Sequence, residues 1–178
     1  MPNLIAKEIS AKIGQVRVVD EVRDFEDELA ASALQAMRLA RYLGSDPQDA
    51  ADAVQEAALL AWRYRHTRRG EWKPWFLSIV RRVAHRRHVR WNLVPFFWQP
   101  AGGEAVEDLL GDSTVARAMA RLPRRQRAAV WLRYGEDHAY GDIGRILGIR
   151  ESAAKMLVAR GRTQLRRDLG SLPQERIQ

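Results

Sequence analysis

The chain has 178 residues, of which 46% are hydrophobic and 29% charged, a balance typical of a folded globular protein with one or two domains. It contains no cysteine, which excludes a disulfide framework, a thiolate metal site and a cysteine nucleophile and fits a reducing compartment. The formal net charge of +8 favours acidic partners over basic ones.

This charge changes sign along the chain. Residues 1–62 have a net charge of −5, whereas residues 63–90 hold ten basic side chains against the single Glu71, a net charge of +9. Residues 91–116 are acidic again at −4, and residues 117–169 return to +8. Basic blocks attract phosphate and acidic blocks attract basic protein surfaces, so the pattern predicts more than one partner, nucleic acid among them; the alternative is solvated helix faces.

The N-terminal segment, residues 1–24, gives little structural information. It lacks the continuous apolar stretch of a signal peptide, and no part of the chain approaches the roughly 20 apolar residues that cross a bilayer. Its stretch GQVRVVDEV alternates too weakly to predict a strand. We therefore expect a cytoplasmic protein without membrane contact, in which this segment is an N-terminal extension.

Three helices are expected between residues 25 and 90. The stretch up to Tyr64 is rich in Ala, Leu, Met, Gln and Glu and is broken at LGSDPQD, where Gly44 can end one helix and Ser45 or Asp46 can cap the next. The loop HTRRGEWKP then precedes a third helix. That helix has an apolar stripe at i, i+3, i+4 and i+7, formed by Phe76, Ile79, Val80 and Val83.

The middle of the chain combines an aromatic run with an acidic, glycine-containing stretch. Phe96, Phe97 and Trp98 lie between two prolines, and GGEAVEDLLGDS follows them. Glycines and acids of this kind are typical of a linker. Three consecutive bulky rings cannot all face one way, so we expect partial packing on the first domain, with one or two rings left to cover a partner.

The C-terminal block predicts a helix-turn-helix. One helix runs from Pro123 to about Tyr134, a short helix from Tyr140 to Leu147, and a longer one from Glu151 to Leu169. Gly144 would allow the two last helices to approach, and Gly148 would supply the turn. The last helix has a basic surface suited to a major groove, formed by Arg150, Lys155, Arg160, Arg162, Arg166 and Arg167. The alternative is a purely structural role, because helical hairpins with a glycine turn also occur in helix bundles.

Enzymatic signals are absent from the sequence. It has no GxxxxGK phosphate loop and no histidine pair with a carboxylate at catalytic or metal spacing. His85 and His88 are three residues apart, but they lie in an arginine-rich helix that would repel a cation. We therefore expect no enzyme activity, no metal and no cofactor.

Several motifs resemble bacterial RNA polymerase sigma factors of the extracytoplasmic-function (ECF) group. LPRRQRAAVWLRY followed by YGDIGRILGI resembles region four of that family, RLARYLGSDPQDAADAVQEAALLAW resembles region two, and RRGEWKPWFLSIVRRVAH resembles the segment that reads the start-proximal promoter element. The resemblance implies an all-α fold of two small helical domains, 25–92 and 115–170, joined by a flexible linker, 93–114, and followed by a tail, 171–178.

The resemblance also implies three binding surfaces. The face that docks on core RNA polymerase would comprise Asp52, Gln55, Glu56 and Leu59. The start-proximal element, melted to single strands, would be bound by Arg68, Arg69, Trp72, Lys73, Ser78, Arg81, Arg82, His85 and Arg86. Trp72 and Trp75 could equally be core residues, and we expect this of Trp75 in particular. The duplex upstream element would be bound by Arg150, Glu151, Ser152, Lys155, Met156, Ala159, Arg160 and Arg162.

Some positions depart from the family pattern. The loop GEWKPW is shorter than usual, Arg82 stands where many members have asparagine, and Ala139 and Arg150 replace the usual serine caps. We expect phosphate contacts to persist and base preferences to differ. Further partners implied by the family are promoter DNA and an anti-sigma protein that holds both domains. The alternative function is a non-sigma helix-turn-helix regulator that binds duplex operator DNA without polymerase.

Overall fold

The computed structural model describes residues 3–92 and 114–170, with side chains at 20–87 and 114–170. Over these residues the chain forms seven α-helices and no strand, so the all-α expectation is confirmed. The helices are α1 (Asn3–Tyr42), α2 (Pro47–Arg63), α3 (Trp72–Asn92), α4 (Thr114–Arg121), α5 (Arg124–Tyr134), α6 (Tyr140–Leu147) and α7 (Glu151–Gly170). The aromatic run Phe96 to Trp98, nearly all of the expected linker and the tail lie outside the described residues.

The chain divides into two compact units, Met1–Leu34 and Gln35–Gln178. The first unit consists of the N-terminal part of α1, and the stretch GQVRVVDEV is helical there. Near its end, the buried Ser32 donates its hydroxyl hydrogen to the Glu28 carbonyl oxygen at 2.8 Å. None of the helices described is both long and apolar enough to cross a membrane. The domain bounds 25–92 and 115–170 stay a prediction.

In the second unit, α2 packs against α3. Helix α2 begins as its sequence indicates: Pro47 occupies the first helical position, and the Asp46 carboxylate accepts a hydrogen bond from the Asp49 amide at 2.7 Å. One face of α2 consists of small, fully buried side chains, namely Ala50, Ala53, Ala57 and Ala61. Because alanine projects little from a helix, this face allows α3 to approach closely.

The side of α3 that packs inward is the predicted apolar stripe. Phe76 and Val80 are fully buried, and Ile79 and Val83 are at most 4% exposed. A 3₁₀ turn at Arg65–Thr67 precedes α3, which begins at Trp72, two residues before the expected Pro74. Burying side chains of this size contributes roughly 1.5–3 kcal/mol each, so this stripe is a main source of stability for α2 and α3.

This unit contains two helical groups. The first comprises α2 and α3, and the second comprises α4 to α7. Helix α5 follows Pro123 and ends at Tyr134, just before Gly135, and α6 runs from Tyr140 to Leu147, both as predicted. Gly148 then has φ 63°, a left-handed conformation that favours glycine. Helix α7 follows, so the helix-turn-helix is confirmed. Its interior is apolar and includes Leu132, Ile143, Ile146, Leu147, Ala154 and Val158.

Gly144 marks the point where α6 and the start of α7 come closest. A Cβ added at Gly144 would lie 2.8 Å from the Ile149 carbonyl oxygen and 3.3 Å from the Glu151 amide nitrogen. Both neighbours are backbone atoms, which cannot rotate away as a side chain could. The steep crossing of the two helices therefore requires glycine at this position.

Replacing Gly144 with alanine should lower the free energy of unfolding by about 1–3 kcal/mol, because the added methyl group forces α6 and α7 apart. The matched control is Gly141→Ala in the same helix, where a Cβ would meet only a flexible Glu151 carboxylate oxygen at 3.8 Å. That change should be neutral or stabilise by up to about 1 kcal/mol through helix propensity. Urea denaturation of the full chain measures both, and equal effects would refute the close-approach argument.

Candidate functional site

Helix α2 presents one exposed face beside the buried alanines. Asp52, Gln55 and Leu59 are exposed and Glu56 is partly exposed, so the structure brings all four predicted residues to the protein surface. The side chain of Leu59 is 67% exposed. An exposed leucine bordered by carboxylates is suited to a partner that offers both an apolar contact and basic groups.

The carboxylates near this face are paired with arginines of α3. Nη2 of Arg87 lies 3.0 Å from Oδ1 of Asp49 and 2.9 Å from Oδ2 of Asp52, and Arg86 forms an ion pair with Glu56. These contacts raise the pKa of the Arg87 guanidinium, chiefly through the hydrogen bond with Asp49. Sequence reasoning missed Asp49 and Arg87, and it assigned Arg86 and Glu56 to two separate surfaces although they are partners.

The loop before α3 is basic and open to solvent. Arg68, Arg69 and Lys73 are exposed. Trp72 is only 7% exposed, and its ring stacks on Phe76 with centroids 5.1 Å apart and an interplanar angle of 12°. Of the two alternatives for Trp72, the structure places it in the core, whereas Trp75, which we expected in the core, is the more exposed of the two. The guanidinium of Arg68 lies 5.8 Å from the Trp72 ring centroid, so the loop is held against the core by a cation–π contact.

The outward side of α3 continues this basic surface. Arg82, His85 and Arg86 are exposed, whereas Ser78 and Arg81 are partly buried. Ser78 donates its hydroxyl hydrogen to the Trp75 carbonyl oxygen at 2.7 Å. Burial lowers the pKa of the Arg81 guanidinium, and the nearby Arg125 and Arg82 lower it further. A group of this kind stays charged at neutral pH and would gain from an anion beside it.

The residue before α7 and the N-terminal half of that helix form the third surface. All eight predicted residues are exposed: Arg150, Glu151, Ser152, Lys155, Met156, Ala159, Arg160 and Arg162. Met156 is 53% exposed. Nζ of Lys155 pairs with Oε1 of Glu151 at 2.7 Å, which raises the pKa of the lysine. Basic and uncharged side chains together on one helix face can bind phosphates and contact base edges.

Sequence reasoning missed two residues beside this surface, Arg133 and Tyr140. The Tyr140 ring centroid lies 5.3 Å from the Arg133 guanidinium carbon and 5.7 Å from Nζ of Lys155. With Arg145 they line a shallow pocket at the start of α6. Ala139 caps this helix and offers no side-chain hydrogen bond to its first amides. The sequence did offer one indication of this site, because Tyr140 is the first residue of the first helix of the helix-turn-helix.

Within the residues that the structure describes, no three His, Asp or Glu side chains are grouped so that they could hold a metal ion. His85 is exposed on the basic side of α3.

Each helical group matches a known protein family. Residues 30–91 match the family Sigma-70 region 2, and residues 113–165 match the family Sigma-70, region 4. The first match contains the exposed face of α2 and the basic side of α3, and the second contains the helix-turn-helix. Two matches to different regions of one family argue against a generic helix-turn-helix regulator.

Individual relatives agree with these matches. The ECF RNA polymerase sigma factor SigM of Mycobacterium tuberculosis is 33% identical over 149 residues, which span 78% of this chain and 73% of SigM. The ECF RNA polymerase sigma factor SigE of Mycolicibacterium smegmatis is 31% identical over 156 residues, 79% of this chain and 60% of SigE. Both alignments cover more than either region alone.

Two solved structures share the fold. The sigma factor RpoE in a co-crystal with the anti-sigma factor NepR from Bartonella quintana has a TM-score of 0.65 and 22% identity, over 85% of this chain and 99% of that one. CnrH in complex with the cytosolic domain of CnrY has a TM-score of 0.61 and 17% identity, over 85% and 90% of the two chains. Together with the helix-turn-helix and the SigM alignment, these findings show that the chain belongs to the ECF group of RNA polymerase sigma factors.

Proposed function

We propose that the chain binds core RNA polymerase through α2, holds the melted start-proximal promoter element on α3 and its preceding loop, and reads the duplex upstream element with α7. The observation that carries this proposal is the separation of surfaces by charge. The exposed face of α2 combines Leu59 with carboxylates, whereas the outward sides of α3 and α7 are basic. A protein partner and DNA therefore bind without competing for one surface.

The α2 face suits polymerase because it provides an apolar centre with an acidic border. Interface energy is concentrated in a few well-packed side chains, and charged rims mainly set orientation and association rate. Leu59 would supply the packed contact, and Asp52 and Glu56 would steer a basic partner surface. Gln55, also exposed, adds a neutral hydrogen-bonding group between them.

DNA binding is divided between two kinds of contact. The exposed Arg68, Arg69 and Arg82 offer phosphate contacts along an unpaired strand, and stacking would have to come from Trp75, because Trp72 is buried. On α7, Arg160 and Lys155 suit phosphates, and Met156 suits an apolar contact with a base edge. Arg82 stands where many members of the family have asparagine. We therefore expect this chain to prefer different bases in the melted element.

Regulation by an anti-sigma protein in the cytoplasm completes the proposal. It is supported by the relatives, since RpoE was crystallised with an anti-sigma factor. A binding protein of this kind would cover the α2 face or the basic surfaces, and either would prevent initiation.

The deciding experiment is in vitro transcription with core bacterial RNA polymerase and a library of promoters. The purified chain should comigrate with core enzyme and direct initiation from a subset of the library, with core enzyme alone as the control. If the chain neither comigrates with core enzyme nor directs initiation anywhere, this proposal is wrong.

Leu59→Asp should weaken binding to core polymerase by about tenfold or more, because it replaces a packed apolar contact with a charge that must be desolvated. This variant leaves the ion pairs of Asp52 and Glu56 in place, which a charge reversal at those residues would not. Leu34→Asp is the matched control, since Leu34 is 63% exposed and Leu59 is 67% exposed. Fluorescence anisotropy with labelled chain measures both affinities, and equal losses would count against the α2 face.

Substitutions on α7 should separate phosphate contact from base contact. Arg160→Ala should weaken binding to all upstream sequences alike and reduce the slope of log affinity against log salt by about one. Met156→Ala should instead change the ranking of sequences and leave that slope unchanged. Binding to a randomised duplex pool at several salt concentrations distinguishes the two, and a uniform effect of Met156→Ala would contradict its assignment.

A further inference from the structure

Glu151 and Lys155 lie where α7 is best placed to contact bases. Glu151 is the first residue of α7 and Lys155 follows one turn later, and their side chains are 55% and 56% exposed. In a helix-turn-helix, the N-terminal residues of the second helix contact base edges in the major groove. Both side chains can therefore reach a base pair when α7 occupies that groove.

The ring of Tyr140 contacts this lysine from the neighbouring helix. Tyr140 is the first residue of α6, and its ring centroid lies 5.7 Å from Nζ of Lys155, within the range of a cation–π contact. The guanidinium carbon of Arg133, in α5, lies 5.3 Å from the same centroid. Nη1 of Arg133 donates to Oδ1 of Asp137 at 3.0 Å and to the His138 carbonyl oxygen at 3.2 Å. The ring is thus held from α5 and restricts a side chain of α7.

Lys155 therefore has two partners that limit its movement, the Tyr140 ring and the Glu151 carboxylate. Nζ of Lys155 lies 2.7 Å from Oε1 of Glu151. A lysine side chain that is free in solution loses much rotamer entropy when it binds a ligand. A lysine that the fold already restricts loses less, so its contact with a ligand is stronger and more directional.

The carboxylate of Glu151 also determines which part of DNA the lysine suits. By its charge alone Lys155 would suit a phosphate. A carboxylate at 2.7 Å, however, cancels much of the local positive charge and repels a phosphate. A base edge carries hydrogen-bond donors and acceptors without net charge, so it can satisfy both members of the pair. Lys155 and Glu151 together therefore suit a base edge better than the DNA backbone.

One kind of base pair matches their pattern of donor and acceptor. In the major groove guanine offers the acceptors N7 and O6, and the paired cytosine offers its N4 amino group as a donor. The ammonium of Lys155 can donate to guanine while the carboxylate of Glu151 accepts from cytosine. At an A·T pair in the same register, adenine N6 would face the ammonium and thymine O4 would face the carboxylate. Donor would then meet donor and acceptor would meet acceptor, so G·C is the preferred pair.

We propose that Glu151 and Lys155 read one G·C pair of the upstream element as a preformed acceptor and donor, and that Tyr140 is the positioning residue that holds Lys155 for this contact. The proposal rests on the proposed function for the placement of α7 in the major groove. It adds the base pair that this part of α7 prefers and a residue outside α7 on which that preference depends.

The base preference can be measured by binding the full chain to a randomised duplex pool and sequencing the bound fraction. The wild-type chain should enrich G·C at one position by about tenfold over A·T. Glu151→Gln should reduce this enrichment by about fivefold, because a neutral amide holds Lys155 less firmly and offers a donor as well as an acceptor. Asp168→Asn is the matched control, since it changes the net charge equally near the other end of α7 and should leave the enrichment unchanged.

The role of the ring is tested by two substitutions of Tyr140. Tyr140→Leu should reduce the G·C enrichment by about threefold, because it removes the cation–π contact with Lys155. Tyr140→Phe keeps the ring and should retain the wild-type enrichment. Melting temperatures of these variants check the fold, and Glu151→Gln keeps the test decisive if Tyr140→Leu lowers the melting temperature, because an exposed pair of this spacing contributes little to helix stability.

The salt dependence of a further variant separates a base contact from a phosphate contact. Lys155→Gln should abolish the G·C enrichment and change the slope of log affinity against log salt by much less than Arg160→Ala does. A phosphate contact by Lys155 would instead reduce that slope by about one and leave the base preference in place.

Several results would overturn the proposal. An unchanged G·C enrichment in Glu151→Gln would show that the pair does not read the base pair, and equal losses in both Tyr140 variants would show that the ring does not hold Lys155. In either case α7 would still read duplex DNA, so the proposed function would stand. If the chain enriches no sequence at all, the assignment of α7 to the upstream element fails as well.

Discussion

The apolar stripe of α3 packs inward beside the alanine face of α2, and this packing determines which side of each of these two helices carries charged groups. With Phe76 and Val80 turned inward, a helix of 3.6 residues per turn must place Arg82 and Arg86 outward. The same packing brings the end of α3 beside α2, where Arg87 meets Asp49 and Asp52. One hydrophobic contact thus positions both the acidic surface and the basic surface.

This proximity connects two surfaces that are otherwise assigned to different partners. An exposed ion pair contributes little to the free energy of folding, about 1 kcal/mol at most. Arg86 and Glu56 can therefore separate and bind other partners with little loss of stability. If a basic protein surface takes up the carboxylate, the arginine becomes available to phosphate, and the converse also holds. Thermodynamic linkage requires that such a preference be mutual between the two ligands.

Much of the fold was accessible from the sequence, because its signals are local. The period of Phe76, Ile79, Val80 and Val83 predicts a buried stripe, and Gly148 predicts the turn. The site was only partly accessible. Local patterns show which face a residue occupies, so the exposure of Arg160 or Leu59 follows from spacing, whereas the burial of Trp72 depends on how its ring meets Phe76.

The contacts that sequence reasoning missed join positions far apart in the chain. Arg87 and Asp49 are 38 residues apart, and Gln35 and Glu136 are 101 apart. No periodicity relates such pairs, because their meeting depends on how whole helices pack. The glutamine and glutamate also resemble ordinary solvated residues in the sequence. Only the packed structure distinguishes a long-range contact of this kind from an ordinary polar surface.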